Sequence, residues 1–267
     1  MNKEYYGLVS GLHQLVAGKT PELSLLAFRD ELSNQLEPAD YYQVLLLFYP
    51  YDHQNLLQDL FKENPEPHSL GNLSEKERSD LLAKKLTDDL YFQSFLDKYD
   101  RLLEEPQENA LEQALWEHYF SFCLEHGNEF LQQWIRLEST LRNLTALHLA
   151  RKLSISVEDQ LLTTGLFTPE ETLRLNPSDL DKTHPWIKAY MEALNLDKPK
   201  ERKKQLDQIR WDYLDESTFF HYFGVEKVLA YVIKLSDLET NWDAEAGKQA
   251  FESFNESIRR DLEKRLL

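Results

Sequence analysis

Apolar residues recur at spacings of three and four through residues 78 to 105, 109 to 126, 128 to 153, 200 to 214, 217 to 240 and 244 to 266. That is the period of one face of an α-helix, whereas a half-buried strand alternates every second residue. Strict alternation is scarce, so the chain is predicted to be all-α, built from several helical-bundle subdomains. The stretch YYGLVSGLHQLV at 5 to 16 fits either a short strand or a buried helix.

Punctuation follows the same pattern. Among 267 residues only 8 are Gly and 10 Pro, and most prolines stand where helices start or stop. Ser24 is placed to cap LLAFRDEL, and Pro38 to open a helix that Pro50 ends. Ser74 with Glu77 is a capping box, and Ser156 with Asp159 repeats it in acidic form. Thr168, Pro169 and Glu171 give an N-cap, a first-turn proline and an acid at the positive helix end, with Gly165 as the stop before them. Residues 62 to 73 and 175 to 186 read as loops. These marks suggest an N-terminal helical segment at 1–73, central hairpins at 74–166 and a C-terminal helical segment at 167–267, with one continuous unit as the alternative.

With 30 Lys+Arg against 47 Asp+Glu the formal charge is −17, which repels phosphate backbones and anionic head groups. Nucleic acid is therefore not an expected partner. Hydrophobic residues at 42% are too many for a disordered acidic chain, so the charge decorates a folded body. The amino terminus lacks the basic start and apolar middle of a signal peptide, and the apolar run VLLLFYPY at 44 to 51 is far short of the ~20 residues of a spanning helix. A cytoplasmic protein with no direct membrane insertion is expected. The basic cluster KPKERKK at 198 to 204 reads as a solvated helix face, or as a docking patch for an acidic partner.

No stretch advertises chemistry. AGKT at 17 to 20 matches the tail of a phosphate-binding loop, but His13 stands where the loop needs its first glycine. Asp88 and Asp89 lack the third acid of a magnesium-binding DDxxD, because Phe92 fills that place. No histidine stands in HExxH or in a Glu-x-x-His pair, and Asp181 with His184 has no second copy. His118, His126, His148 and His221 read as helix-surface or core-edge residues. Cys123, the one cysteine, sits in YFSFCLEH and reads as a buried small hydrophobe. No catalytic residue, metal or cofactor is expected.

WIRLESTLRNLTALHLARKL at 134 to 153 breaks its own pattern. Trp134, Leu137, Leu141, Leu144 and Leu149 share a broad apolar arc, and Glu138 and Arg142 fall inside it. Their spacing suits an i to i+4 ion pair. Such a pair locks neighbouring helices, or keeps a charge useful on a face toward a cavity or partner chain. Asn143, Leu147 and Arg151 form a second column four residues apart, placed to bond an adjacent helix.

RNLTALHLARKL resembles the helix of the rotor-cap family of V/A-type ATPases, the component lettered C in prokaryotes and d in eukaryotes. Asn143, Leu144 and Arg151 hold the matching positions, while Ser139 and Thr140 stand where that family usually has an acid. YYGLVSGL, YDHQNLL, GNLS, RNLTALHLARKL and VEKVLAYVIKLSDLETNW, in that order, are similar to the blocks of an uncharacterised bacterial family whose members tend to be encoded beside the components of V-type ATPases. The resemblance implies a non-catalytic, funnel-like component that is peripheral to the membrane through a protein complex. Its expected partners are the ATPase central-shaft subunits and the membrane rotor ring. Glu138, Arg142, Asn143 and Arg151 are then expected at packing or shaft contacts, Asp52 and Asn55 in fixing a turn between amino-terminal helices, and Glu226 and Lys227 in a similar role. Two rival readings stay open: a free-standing acidic helical adaptor, and a helical enzyme with a spatially assembled site.

Overall fold

The structure, a computed structural model, describes residues 3–17, 19–62, 66–83, 88–154, 156–157, 161–175 and 184–242. Among them are twelve α-helices, one 3-10 turn and no strand, so the fold is all-α. The expectations at Asp159, at 244 to 266 and for most of the 175 to 186 loop, with Asp181, lie outside the described residues.

The chain divides into two units whose boundaries differ from the sequential segments expected. One joins Met1–Glu37 to Gln133–Leu267, and the other is Pro38–Gln132. The first is discontinuous because α2 (Leu25–Gln35) packs on α12 (Val225–Trp242). Phe28 and Tyr231 meet edge to face at 5.0 Å, and the Leu25 N–H donates to the Glu239 carboxylate at 2.6 Å. That carboxylate sits at the positive end of α2, where an anion is stabilised. Ser24 adds the expected cap, accepting from the Ala27 N–H at 3.2 Å.

The same unit contains α1 (Tyr6–Gly11), α9 (Pro169–Arg174), α10 (Pro185–Leu194) and α11 (Pro199–Ser217), together with most of α8 (Glu129–Leu153). In the ambiguous 5 to 16 stretch α1 is one short helix, followed from Leu12 by chain with no regular secondary structure. Thr168 and Glu171 form both bonds of a capping box at the start of α9. Gly165 ends no helix. It lies in the turn that approaches α8, where a Cβ would come within 3.0 Å of the Thr140 hydroxyl. The span 217 to 240 is likewise not continuous: Thr218–Gly224 forms a loop before α12 begins.

The second unit holds α3 (Pro38–Leu46), α4 (Tyr49–Phe61), α5 (Glu75–Leu82), α6 (Leu90–Tyr99), the 3-10 turn Asp100–Leu103 and α7 (Glu108–His126). Pro50 starts α4 instead of stopping α3, because a first-turn residue has no intrahelical use for its missing N–H. Ser74 and Glu77 complete the capping box of α5. Asp89, weighed above as a magnesium ligand, caps α6 by accepting from the Phe92 N–H at 3.0 Å, which breaks the expected 78 to 105 helix.

Packing of α4, α6 and α7 closes over aromatic rings. Tyr49 stacks on Tyr91 at 4.0 Å, and Phe92 and Phe122 meet Tyr91 edge-on at 4.8 and 5.1 Å. His118 belongs to this core and not to a helix surface: its Nε2 lies 3.0 Å from the Tyr91 carbonyl and 3.1 Å from the Ser94 hydroxyl. His126 and His148 are half-buried and His221 is exposed. Cys123 is buried as a small hydrophobe, and burial pushes its thiol pKa up.

Candidate functional site

Helix α8 is buried on far more than one stripe. Between Leu137 and Ala150 every residue is buried or half-buried, including Ser139, Thr140, Asn143 and Thr145. The polar side is covered because the returning chain at 162–166 lies along it and is fastened by side chains. Asn143 grips one residue's backbone from both sides: its Nδ2 donates to the Leu162 carbonyl at 2.8 Å, and its Oδ1 accepts from the Leu162 N–H at 2.8 Å. Thr140 accepts from the Leu166 N–H at 2.8 Å, and Ser139 and Thr164 share a hydroxyl bond at 2.7 Å. One helical turn beyond, Ala146, Leu147 and Ala150 pack on Val157 and Leu161. Arg151 extends the column outward, donating from Nη2 to the Leu173 carbonyl at 3.3 Å. Buried backbone groups require such partners, and an amide can satisfy a donor and an acceptor at once.

The charge inside the apolar arc has a partner that local spacing does not reach. Arg210 of α11 donates from Nε to Glu138 at 2.8 Å and from Nη1 to Asp237 of α12 at 2.8 Å. The i to i+4 spacing points Glu138 to Arg142; its carboxylate is also reached from Arg210, 72 residues on. Trp211 donates its indole N–H to the other Asp237 oxygen at 3.1 Å, and the Arg210 guanidinium lies 5.2 Å from the Trp134 ring centre. Arg210 thus ties three helices through one planar fork and stacks on a fourth group. Arg142 is half-buried on the same helix as Glu138.

Electrostatics favour the intact set. Burial raises the Glu138 pKa and Arg210 counters it, while 27% of its side chain stays exposed. Burial also raises Asp207, against the pull of Lys203 at 3.4 Å. Burial works against the Arg210 charge, but Asp237 and Glu138 outweigh it and hold the guanidinium firmly protonated. Nearby, Tyr190 and Thr145 share a hydroxyl bond at 3.0 Å, and burial pushes the Tyr190 phenol up to about 12.

In the other unit, helix α4 performs a similar task. Asp52, Asn55 and Asp59 follow at helical spacing, so one face meets the loop that leads into α5. Asp52 accepts from the Asn72 and Leu73 N–H groups, both at 2.9 Å. Asn55 donates to the His68 carbonyl at 3.0 Å and accepts from its N–H at 2.6 Å. Asp59 accepts from Arg78 Nε at 2.7 Å, and Arg78 also donates to the Leu73 carbonyl at 3.2 Å. Gly71 must lack a Cβ here, since one would lie 2.7 Å from both Asn55 Nδ2 and Asp52 Oδ1.

Glu226 and Lys227 brace the loop before α12. Lys227 donates to the Thr218 hydroxyl at 3.0 Å, and Glu226 lies 3.6 Å from His221 Nδ1. The basic cluster at 198 to 204 is partly satisfied on its own helix by Lys198–Glu201 at 2.8 Å and Lys203–Asp207.

Each of the eight residues singled out from sequence is thus placed. Asp52 and Asn55 act together, Asn143 and Arg151, two turns apart on α8, bond Leu162 and Leu173 of the chain that follows, and Glu138 works with residues that sequence reasoning passed over. Arg210, Asp237, Asp59 and Arg78 carried a signal nonetheless. Arg210 stands midway between Leu206 and Leu214, and Asp237 follows Ala230 and Ile233, so each interrupts an apolar column as Glu138 does. The columns mark the charges, but which of them meet depends on how the helices pack. The arrangement holds backbone and helices in place; among the described residues no group of three His, Cys, Asp or Glu is set to hold a metal ion. No described helix is long and apolar enough to cross a membrane. No curated protein matches the chain. A family profile described as "Protein of unknown function (DUF2764)" matches residues 1–262, nearly the full length, and the chain belongs to that family.

Proposed function

We propose that this protein is a non-catalytic coupling component of a V/A-type rotary ATPase, seated between the central shaft and the membrane rotor ring in the manner of the rotor cap. The observation that carries the reading is the use made of Asn143 and Arg151, two of the residues behind the resemblance. Asn143 binds a backbone carbonyl of the segment that covers α8, at 2.8 Å, and Arg151 one in α9, at 3.3 Å, so both brace the helix on which the resemblance rests. A part that transmits torque needs such stiffness, and the ionic tie from Arg210 to α8 and α12 contributes to it. On this reading the protein is cytoplasmic and reaches the membrane through its protein partners.

Affinity purification of the tagged protein from its host, in mild detergent, tests the reading. Catalytic and shaft subunits are expected to co-elute in fixed ratio. Their absence from a preparation in which the ATPase is intact would leave the free-standing adaptor in its place. Turnover of a small molecule by the purified chain, lost on a single pocket substitution, would instead favour the helical enzyme.

A further inference from the structure

The connection from α11 to α12 reads TFFHYFG, and its rings point away from the body. Phe219, Phe220 and Tyr222 are 60%, 80% and 62% exposed, and Tyr6 of α1 is 56% exposed. Exposed single aromatics are ordinary, but several in one loop form a patch of the kind that marks a contact surface. The loop is not slack. Thr218 is buried, with its hydroxyl donating to the Leu214 carbonyl at 2.7 Å and accepting from Lys227. The Phe219 and His221 N–H groups close turns onto Glu216 and Thr218 at 3.1 Å each. At its far end the Phe223 carbonyl accepts from the Tyr5 N–H at 2.7 Å, and the Tyr6 and Phe223 rings lie 4.5 Å apart. Phe219 and Phe220 meet edge to face at 5.0 Å. Fastened at both ends, the loop has little backbone entropy left to lose on binding.

The surroundings specify the partner. Asp212, Asp215 and Glu216 are exposed or half-exposed on the last turns of α11, and Glu4 is exposed next to Tyr6. Lys234 and Lys3 are engaged by Asp215 and Glu37 respectively. We propose that the Thr218–Gly224 loop, with Tyr6, is a docking plug for a protein partner that offers an apolar socket rimmed by Lys or Arg side chains. Aromatic anchors supply the buried centre of such a contact, and opposite charges around it set register and encounter rate. An anionic lipid surface is disfavoured because peripheral aromatic anchors draw on basic neighbours, and the lysines here already bond Glu37, Asp215 and Thr218. A second copy would set the same acidic rim against itself. The plug is independent of the rotary-ATPase reading, because a socket on any protein satisfies it.

A photoreactive phenylalanine analogue at position 220, irradiated in the host cell, tests the plug. The expected adduct maps to another protein, on a peptide with apolar residues flanked by Lys or Arg. Asp212→Lys with Glu216→Lys, or irradiation of lysate in high rather than low salt, should cut its yield about fivefold or more. Phe219→Ser with the probe at 222 should remove most of it. Adducts confined to lipid or to a second copy of this chain would overturn the proposal. A socket without basic residues, salt-insensitive yield, or labelling no stronger than from a probe at exposed Glu170 would do the same. Circular dichroism confirms folding, and position 222 carries the probe if the 220 substitution does not fold.

Discussion

At the scale of single residues, the polar groups placed in apolar surroundings carry the sharpest consequences. Arg210 serves two carboxylates, so Arg210→Met leaves Glu138 and Asp237 without their shared cation. The expected loss is about 2–4 kcal/mol in urea unfolding, below the figure for a fully buried pair because water still reaches these side chains. Adding Glu138→Gln and Asp237→Asn should restore part of it; no recovery would contradict the shared-cation account. Asn143 offers a cleaner separation of donor from acceptor. Asn143→Asp keeps the shape but puts a carboxylate oxygen against the Leu162 carbonyl, so it should destabilise at least as much as Asn143→Ala, by about 2–3 kcal/mol. His53 adds a pH dependence. Burial, then His118, pushes its pKa down to about 3, while its Nε2 lies 2.6 Å from the Tyr91 hydroxyl. The unfolded chain takes up this proton near pH 6.5 and the folded chain only near pH 3. Stability is unaffected above that window and falls by up to about 1.4 kcal/mol per pH unit as pH drops through it. Glu138 and Asp207, raised by burial, act with the opposite sign, so the test compares variants. The drop in urea midpoint from pH 7 to 4 should be smaller in His53→Phe, where Tyr91 keeps the Leu115 carbonyl at 3.4 Å.

At the scale of elements, side chains on α8 and α4 hold the chain that returns along them. Covering the polar face of α8 satisfies backbone groups that a loop would otherwise present to water, and it accounts for a helix buried nearly all round. The end of α8 is less well suited. Ser154 has φ 58°, in the left-handed region that glycine adopts without a side-chain clash. Ser154→Gly should therefore stabilise the protein by about 0.5–1 kcal/mol, read as a rise in thermal midpoint; a fall would show that the hydroxyl has a role of its own. The α4 latch should react the other way. Gly71→Ala puts a methyl against Asp52 and Asn55, so it should destabilise the α4 to α5 connection and speed hydrogen exchange at Asn72 and Leu73.

At the scale of the whole molecule, charge and topology matter most. A formal charge of −17 makes the compact state repel itself, so raising NaCl from low to physiological strength should raise the thermal midpoint despite weakening surface pairs. Helical class and most caps were legible in the sequence, because a cap acts within four residues and a helical face repeats every three or four. Pro50, Gly165 and the 217 to 240 span were misread where one local sign, a proline, a glycine or an apolar run, had two structural uses. The discontinuous unit, the Arg210 tie and the outward aromatic loop were decided only by tertiary structure. Glu138 and Arg210 are 72 residues apart, and whether a charge in an apolar column finds a partner depends on which helices desolvate it.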